Sequence, residues 1–222
     1  MTDDEAVVRP PVPVVPGSTG ILGGTFDPIH HGHLAIAEEA RETLGMERVL
    51  LIPAAGPPHK ATRSVTSPSH RLAMAELAIA GNPALAVSAI EVDRGGASYT
   101  VETLEALAAD GIADPWLILS AEALAGFPTW RRPDRILELC RLAVVPRGGH
   151  ETLDLTWVRE HFPGREERVT FIPGPLLPIS GSVVRRRAAI GRSVRYLVPE
   201  AVALYIADHG LYLETVRRIP TT

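Results

Sequence analysis

Short apolar runs alternate with segments of helical periodicity along most of the chain. The apolar runs predict six strands, at residues 19–24, 48–53, 85–92, 115–120, 141–146 and 168–173. Several of these runs show no alternation of apolar and polar residues, which is typical of strands covered on both faces. The remaining segments predict helices at residues 33–44, 69–80, 99–109, 133–140, about 152–160, 182–191 and 199–210.

Glycine and proline mark the boundaries of these helices. Gly45, Gly81 and Gly111 follow the first three helices, where a left-handed C-cap favours glycine. Pro68 falls in the first turn of the second helix, where its missing N–H group costs little. Strand–helix alternation of this kind predicts a parallel sheet with right-handed crossovers. We therefore expect an α/β fold, a single Rossmann-like, doubly wound parallel sheet of about six strands with C-terminal helices.

The two ends of the chain lie outside this alternating pattern. Four prolines between Pro10 and Pro16 favour an extended, polyproline-like conformation. We expect residues 1–18 to form a disordered Pro-rich arm, residues 19–213 the one folded domain, and residues 214–222 a C-terminal tail. The arm lacks the features of a signal peptide, and no apolar run approaches the roughly 20 residues of a membrane helix. These observations predict a cytoplasmic protein that binds no membrane.

Composition and charge narrow the function classes. The 222 residues are 45% hydrophobic and 22% charged, and their net charge of -4 argues against a nucleic-acid-binding protein. The single cysteine, Cys140, cannot form an internal disulfide and fits a reducing compartment. Its position between a predicted helix and a predicted strand indicates a buried structural thiol.

The segment "GGTFDPIHHGH", residues 23–33, carries the strongest chemical signal. It leaves the first predicted strand and enters the first predicted helix, and ligands of open parallel sheets bind at the carboxyl ends of strands. Gly23 and Gly24 permit a ligand to approach the backbone closely. His33 falls in the first turn of the helix, where unpaired N–H groups and the helix dipole favour anions. The segment therefore predicts a phosphate-handling site.

Two other interpretations of the three histidines remain open at this point. A zinc site would need further ligands, but Cys140 is distant in the sequence and the HEXXH spacing is absent. The segment could also be a polar helix cap with surface histidines. It matches neither the Walker A pattern nor the GxGxxG dinucleotide fingerprint.

The segment resembles the signature of the HxGH nucleotidyltransferase superfamily, with residues 30–33 as the motif. The best-matching family is the bacterial nicotinate-nucleotide (nicotinic acid mononucleotide) adenylyltransferases. Further segments resemble motifs of that family in the same order: "PPHK" (57–60), "ASYTVET" (97–103), "FPTW" (127–130), "ISGSVVR" (179–185) and "YLVPEAVALYI" (196–206). The similarity implies that residues 19–213 form a nucleotidyltransferase domain.

The resemblance implies transfer of AMP from ATP to nicotinate mononucleotide, which yields nicotinate adenine dinucleotide and pyrophosphate in NAD biosynthesis. The attacking phosphate oxygen is already anionic, so catalysis would come from alignment and charge neutralisation and would need no general base. Mg²⁺ would be bound mainly through the ATP phosphates, without a dedicated cage of carboxylates. A homo-oligomer is possible.

The resemblance also assigns site residues. The expected catalytic residues are His30, His33, Lys60 and Arg185. The expected ATP-binding residues add Gly23, Gly24, Thr25, Phe26, Ser180 and Ser182, with Ser182 as a candidate N-cap of the following helix. His31 occupies the variable position of the motif and is expected to be the least important of the three histidines. On the nicotinate side, the expected residues are Tyr99, Thr100, Glu122 and Trp130.

Two departures from the family pattern keep alternatives open. The usual GAD appears as Ser120-Ala121-Glu122, and the usual ISST appears as "ISGS", with Gly181 in place of a serine. The alternatives are a different phosphate acceptor, such as nicotinamide mononucleotide or phosphopantetheine, and a non-catalytic nucleotide-binding relative.

Overall fold

The computed structural model describes residues 18–56, 65–146, 153–175 and 177–213. Within them six parallel strands form one sheet in the order β3-β2-β1-β4-β5-β6. The strands are β1 (Thr19–Gly24), β2 (Arg48–Pro53), β3 (Leu85–Val87), β4 (Trp116–Ser120), β5 (Arg141–Val145) and β6 (Val169–Phe171). The predicted six-stranded parallel sheet is therefore confirmed.

Nine α-helices lie within the described residues: α1 (His31–Leu44), α2 (Pro68–Ile79), α3 (Ile90–Arg94), α4 (Thr100–Ala109), α5 (Ala121–Gly126), α6 (Pro133–Leu139), α7 (Leu155–His161), α8 (Gly181–Ala189) and α9 (Glu200–Asp208). All seven predicted helices are present, while α3 and α5 were not predicted. Gly45 ends α1 in the predicted left-handed conformation, with φ of 61°. No helix in this described part of the chain has the length and apolar character needed to cross a membrane.

Helices cover both faces of the sheet, as predicted for a doubly wound fold. Ile21 and Leu22 are neighbours in β1, yet Leu22 packs in the core beneath α1, α2, α8 and α9 and Ile21 in the core beneath α4, α6 and α7. Successive side chains of a strand point to opposite faces, so a strand covered on both faces is apolar throughout. Cys140 is fully buried in the second of these cores, as predicted, and burial raises its thiol pKa to about 12.

The predicted strand over residues 85–92 is wrong beyond Val87. Only three residues of this edge strand pair with β2, and the Ser88 hydroxyl then accepts a hydrogen bond from the Ile90 N–H group. The chain turns there into the short helix α3. Its Glu91 is buried and accepts a hydrogen bond of 2.6 Å from the Thr103 hydroxyl. The alternation of apolar and polar residues at Ile90, Glu91 and Val92 is typical of a strand, but these residues are helical. The buried Glu91 contacts Thr103 of α4.

The strand order places a topological switch beside β1. The chain runs outward from β1 through β2 to β3, then crosses back and continues from β4 on the other side of β1. Loops leaving β1 and β4 diverge at such a point and open a crevice, which is where ligands bind in open α/β sheets.

Candidate active site

A cleft of about 830 Å³ opens at the carboxyl ends of β1 and β4. Most of its lining comes from three stretches of chain that are far apart in sequence: the loop from Thr25 into α1, the start of α5, and the segment from Leu177 into α8. Val65, Pro146 and Pro175 complete it. The side chains at its surface combine cationic and polar groups with apolar ones: His30, His33, Ser180, Ser182, Arg185, Phe26, Ile36, Leu177 and Ile179. The N-termini of α1 and α8 thus face one cavity, which favours anions there.

Two histidines are held against each other at the start of α1. His30 is the N-cap residue, only 6% exposed, and its ring stacks on the His33 ring with a centroid distance of 3.6 Å. The His30 N–H group donates a hydrogen bond to His33 Nδ1 at 3.2 Å. Because Nδ1 accepts, the proton of the neutral His33 ring resides on Nε2. A Cβ on Gly32 would lie 3.1 Å from the His30 ring, so the glycine of the motif permits this packing.

The loop between β1 and α1 contains a residue with a strained backbone conformation. Phe26 is buried with φ of 47°, a left-handed conformation that is unusual for an aromatic residue. Its ring meets the His33 ring edge-on, with centroids 5.0 Å apart. The next peptide, Asp27-Pro28, is cis and lies in a turn. Phe26 therefore packs directly against the His33 ring.

Asp27 is a buried carboxylate to which the sequence analysis assigned no role. The Tyr212 hydroxyl donates a hydrogen bond to its carboxylate at 2.9 Å, and Arg185 Nη1 lies 3.6 Å from the other carboxylate oxygen. Arg185 also donates to the Asp27 backbone carbonyl. Burial raises the pKa of Tyr212, and the Asp27 charge raises it further, so its hydroxyl stays a neutral donor. This contact fixes Arg185 at the edge of the cleft.

The start of α8 corrects one prediction. Ser180, and not Ser182, is the N-cap residue, because its Oγ accepts a hydrogen bond from the Val183 N–H group at 3.3 Å. Ser182 lies in the first turn, and its Oγ accepts from Arg185 Nη2 at 3.1 Å. A Cβ on Gly181 would lie 2.8 Å from the Asp27 carbonyl oxygen. Gly181, a departure from the family pattern, therefore lets α8 approach the Asp27 loop closely.

The structure brings together most of the predicted ATP-binding residues. The cleft is lined by Thr25, Phe26, His30, His33, Ser180, Ser182 and Arg185, and by Glu122 from the predicted nicotinate side. Gly23 and Gly24 end β1 and are not among the residues that line it. His31 is also absent from the lining; its N–H group donates to the Leu197 carbonyl. Lys60 lies outside the described residues.

Three residues of the predicted nicotinate side lie outside the lining of this cleft. Thr100 is the first residue of α4. The Arg131 guanidinium lies over the Tyr99 ring, 4.5 Å from the ring centroid. Trp130 packs on Phe127, with ring centroids 5.2 Å apart. Both aromatic rings pack against the core beneath α4 and α6. Their assignment to nicotinate recognition stays a prediction.

The donor set of the cleft does not resemble a metal cage. Across the described ranges, no three His, Cys, Asp or Glu side chains gather closely enough to hold a metal ion. Mg²⁺ prefers oxygen ligands, whereas the cleft presents mainly imidazole, guanidinium and hydroxyl groups, with the Asp27 carboxylate already engaged. These residues offer cationic and hydroxyl groups to an anionic ligand.

Comparisons with known proteins agree with this geometry. Residues 21–187 match the model of the cytidylyltransferase-like family. Two relatives are named as probable nicotinate-nucleotide adenylyltransferases. The one from Roseiflexus sp. (strain RS-1) is 53% identical over 193 residues, which cover 87% of this chain and 96% of that protein. The one from Thermomicrobium roseum is 46% identical over 203 residues, which cover 91% and 94%.

A solved structure shows the same fold. It is the Plasmodium falciparum nicotinic acid mononucleotide adenylyltransferase complexed with NaAD, which superposes with a TM-score of 0.72 at 17% identity. The superposition covers 88% of this chain and 97% of that one. The chain therefore belongs to the cytidylyltransferase-like family and, within it, to the nicotinate-nucleotide adenylyltransferases.

Proposed function

We propose that this chain is a transferase that moves AMP from ATP to nicotinate mononucleotide and releases pyrophosphate, in NAD biosynthesis. The observation that carries the proposal is the convergence of His30, His33 and Arg185 with two helix N-termini in one cleft. The close relatives bear the name of this activity. The arrangement provides positive charge for two anionic substrates and no activated nucleophile of its own.

The chemistry balances without a protein base. A phosphate oxygen of nicotinate mononucleotide forms a bond to the α-phosphorus of ATP. The bond between that phosphorus and the oxygen bridging the α- and β-phosphates breaks. The electron pair leaves with pyrophosphate, and no proton has to be removed from the attacking oxygen. Catalysis then consists of alignment and neutralisation of charge in the transition state.

Each cleft residue has a proposed role in that step. His33 donates from Nε2 to an α-phosphate oxygen and opposes the charge that develops there. His30 holds the His33 ring by stacking and contacts the triphosphate. Arg185 and the N-terminus of α8, capped by Ser180, bind the pyrophosphate part. Lys60 is proposed as a further cation near the phosphates.

Mg²⁺ is proposed to enter as part of the substrate, as MgATP. The metal neutralises part of the triphosphate charge when it is bound. The side chains of the cleft bind and orient the complex, and Glu122, a carboxylate in the cleft lining, is proposed to contact the nucleotide.

On the acceptor side, we infer a preference for the nicotinate over the nicotinamide form. Backbone N–H groups around Tyr99 and Thr100 suit a carboxylate, and Trp130 provides an aromatic face for a pyridine ring. Tyr99 and Thr100 begin α4, whose N-terminus favours a negative charge.

A panel of acceptors tests the proposal. Purified protein is incubated with MgATP and, in parallel, nicotinate mononucleotide, nicotinamide mononucleotide or phosphopantetheine, and pyrophosphate and the adenylylated product are measured. We expect the highest kcat/KM with nicotinate mononucleotide. Equal kcat/KM for the acid and amide forms would refute the acceptor preference alone. Higher kcat/KM with phosphopantetheine would change the proposed substrate, and ATP binding without turnover would identify a non-catalytic relative.

A further inference from the structure

Arg71 is a buried cation that belongs to neither the cleft lining nor any sequence motif discussed above. It lies in the first turn of α2, and its side chain is only 1% exposed. Each of its guanidinium nitrogens donates to a different backbone carbonyl: Nε to Thr66 at 2.8 Å, Nη1 to Thr25 at 2.7 Å and Nη2 to Ala55 at 3.0 Å. One side chain therefore ties together three separate stretches of backbone.

Two of these stretches lead to the two proposed substrate sides. Thr25 lines the cleft directly, next to Phe26 and the histidines. Ala55 follows β2, and its N–H group donates to Ser98 Oγ at 2.9 Å, while the Ser98 N–H group donates to the Gly56 carbonyl at 2.9 Å. Ser98 immediately precedes Tyr99 and Thr100. The path Thr25–Arg71–Ala55–Ser98 consequently links the ATP loop to the predicted nicotinate segment.

The buried charge of Arg71 carries a free-energy cost that a purely structural role would not require. Burying a guanidinium carries a desolvation penalty, and apolar residues of similar volume often fill such positions at no loss of stability. Burial lowers the Arg71 pKa, while the nearby Asp27 and Glu91 charges act in the opposite direction. Three carbonyl acceptors in fixed directions match the planar fork of arginine and cannot all be met by lysine.

We propose that Arg71 is a positioning residue for the adenylyl transfer, holding the Thr25 loop at a fixed distance from the segment that carries Tyr99 and Thr100. The inference rests on the proposed function, and Arg71 itself contacts no substrate. Its three hydrogen bonds set the separation between the α-phosphorus and the attacking phosphate. A displacement of about 1 Å between reacting groups can cost about 100-fold in rate.

The test compares Arg71→Lys with Met74→Ala, a matched change on the same helix. Met74 is fully buried in the core and lines no part of the cleft, so its truncation lowers stability alone. For each variant we would measure Tm, the folded fraction, and kcat and KM for MgATP and nicotinate mononucleotide. We expect Arg71→Lys to lower kcat per folded molecule by ~10- to 100-fold with each KM within about threefold. We expect Met74→Ala to lower Tm with kcat within about twofold.

The outcomes separate the two proposals. Arg71→Lys with kcat within about twofold of the wild type would overturn the positioning role while leaving the proposed function standing. An equal loss of kcat in Met74→Ala would also overturn it, because the effect would then follow stability. A wild-type protein without turnover would refute the proposed function and, with it, this inference.

A second variant applies if Arg71→Lys does not fold. Ser98→Ala removes the partly buried hydroxyl that accepts from the Ala55 N–H group and so breaks the same path. We expect Ser98→Ala to lower kcat by ~10-fold, and an unchanged kcat would contradict the positioning role of Arg71.

Discussion

His33 and His31 lie two positions apart, yet only His33 reaches the cleft. We expect His33→Ala to lower kcat by ~10²- to 10³-fold, because it removes a donor directed at developing charge. His31→Ala is the matched control, since its contact with Leu197 uses the backbone N–H group and survives the change. Steady-state kinetics and circular dichroism of both variants check this prediction. Equal losses in the two variants would contradict the assignment of His33.

Tyr212 stabilises a buried carboxylate through its hydroxyl. Tyr212→Phe keeps the ring and leaves Asp27 with one hydrogen bond fewer, which we expect to cost about 1.5–3 kcal/mol in the free energy of unfolding. Tyr196→Phe provides the control, because Tyr196 is 83% exposed. Urea denaturation of both variants measures the difference. A Tyr212→Phe protein as stable as the wild type would contradict a stabilising role for the Tyr212–Asp27 hydrogen bond.

The residues of the site motifs could be predicted from the sequence. The contacts that hold them in place, made by residues such as Tyr212 and Arg71, could not. The resemblance to the family placed His30, His33, Ser180 and Arg185, and the preference of helix N-termini for anions is a physical reason to expect such residues there. Tyr212 gave no signal, since its partner lies far away in sequence. Arg71 did give one: it shares a helical stripe with Met74 and Ala75, so a charge occupies a core position of α2. The role of that charge could not be predicted, because its three carbonyl partners come together only in the folded chain.

At the scale of elements, the docking of α8 onto the Asp27 loop depends on Gly181. We expect Gly181→Ala to lower stability by about 1–3 kcal/mol despite the higher helix propensity of alanine, because the new Cβ would meet a backbone oxygen at 2.8 Å. Gly126→Ala is the matched control: Gly126 ends α5 with helical φ and open space around its Cα. We expect that control to be neutral or slightly stabilised. Differential scanning calorimetry decides, and equal Tm values for Gly181→Ala and the wild type would contradict the close approach.

The long, periodic elements were predictable, and the short ones were not. α1, α2 and α4 follow from apolar periodicity with glycine beyond their ends. α3 and α5 each span at most six residues, which is too short for a periodic pattern to emerge. The N-cap of α8 was predicted two residues late because both Ser180 and Ser182 are suitable caps, and the backbone path past Asp27 decides between them.

For the whole molecule, strand–helix alternation was enough to predict the doubly wound sheet, and the sheet order then places the cleft. The order itself, with β4 returning beside β1, brings residues near 30, 122 and 185 to one place. No local pattern specifies that these residues meet, because their proximity arises from packing between segments that come together only after folding. The resemblance to a family named the residues in advance, and the fold brings them into one cleft.

The most direct test follows the α-phosphorus of ATP through the reaction. The protein is incubated with MgATP labelled at the α-phosphate and with nicotinate mononucleotide, and the products are separated and counted. We expect the label to appear in nicotinate adenine dinucleotide, with one pyrophosphate released for each dinucleotide formed. Label recovered as free AMP, or left in ATP across a broad range of acceptor concentrations, would contradict adenylyl transfer at this cleft.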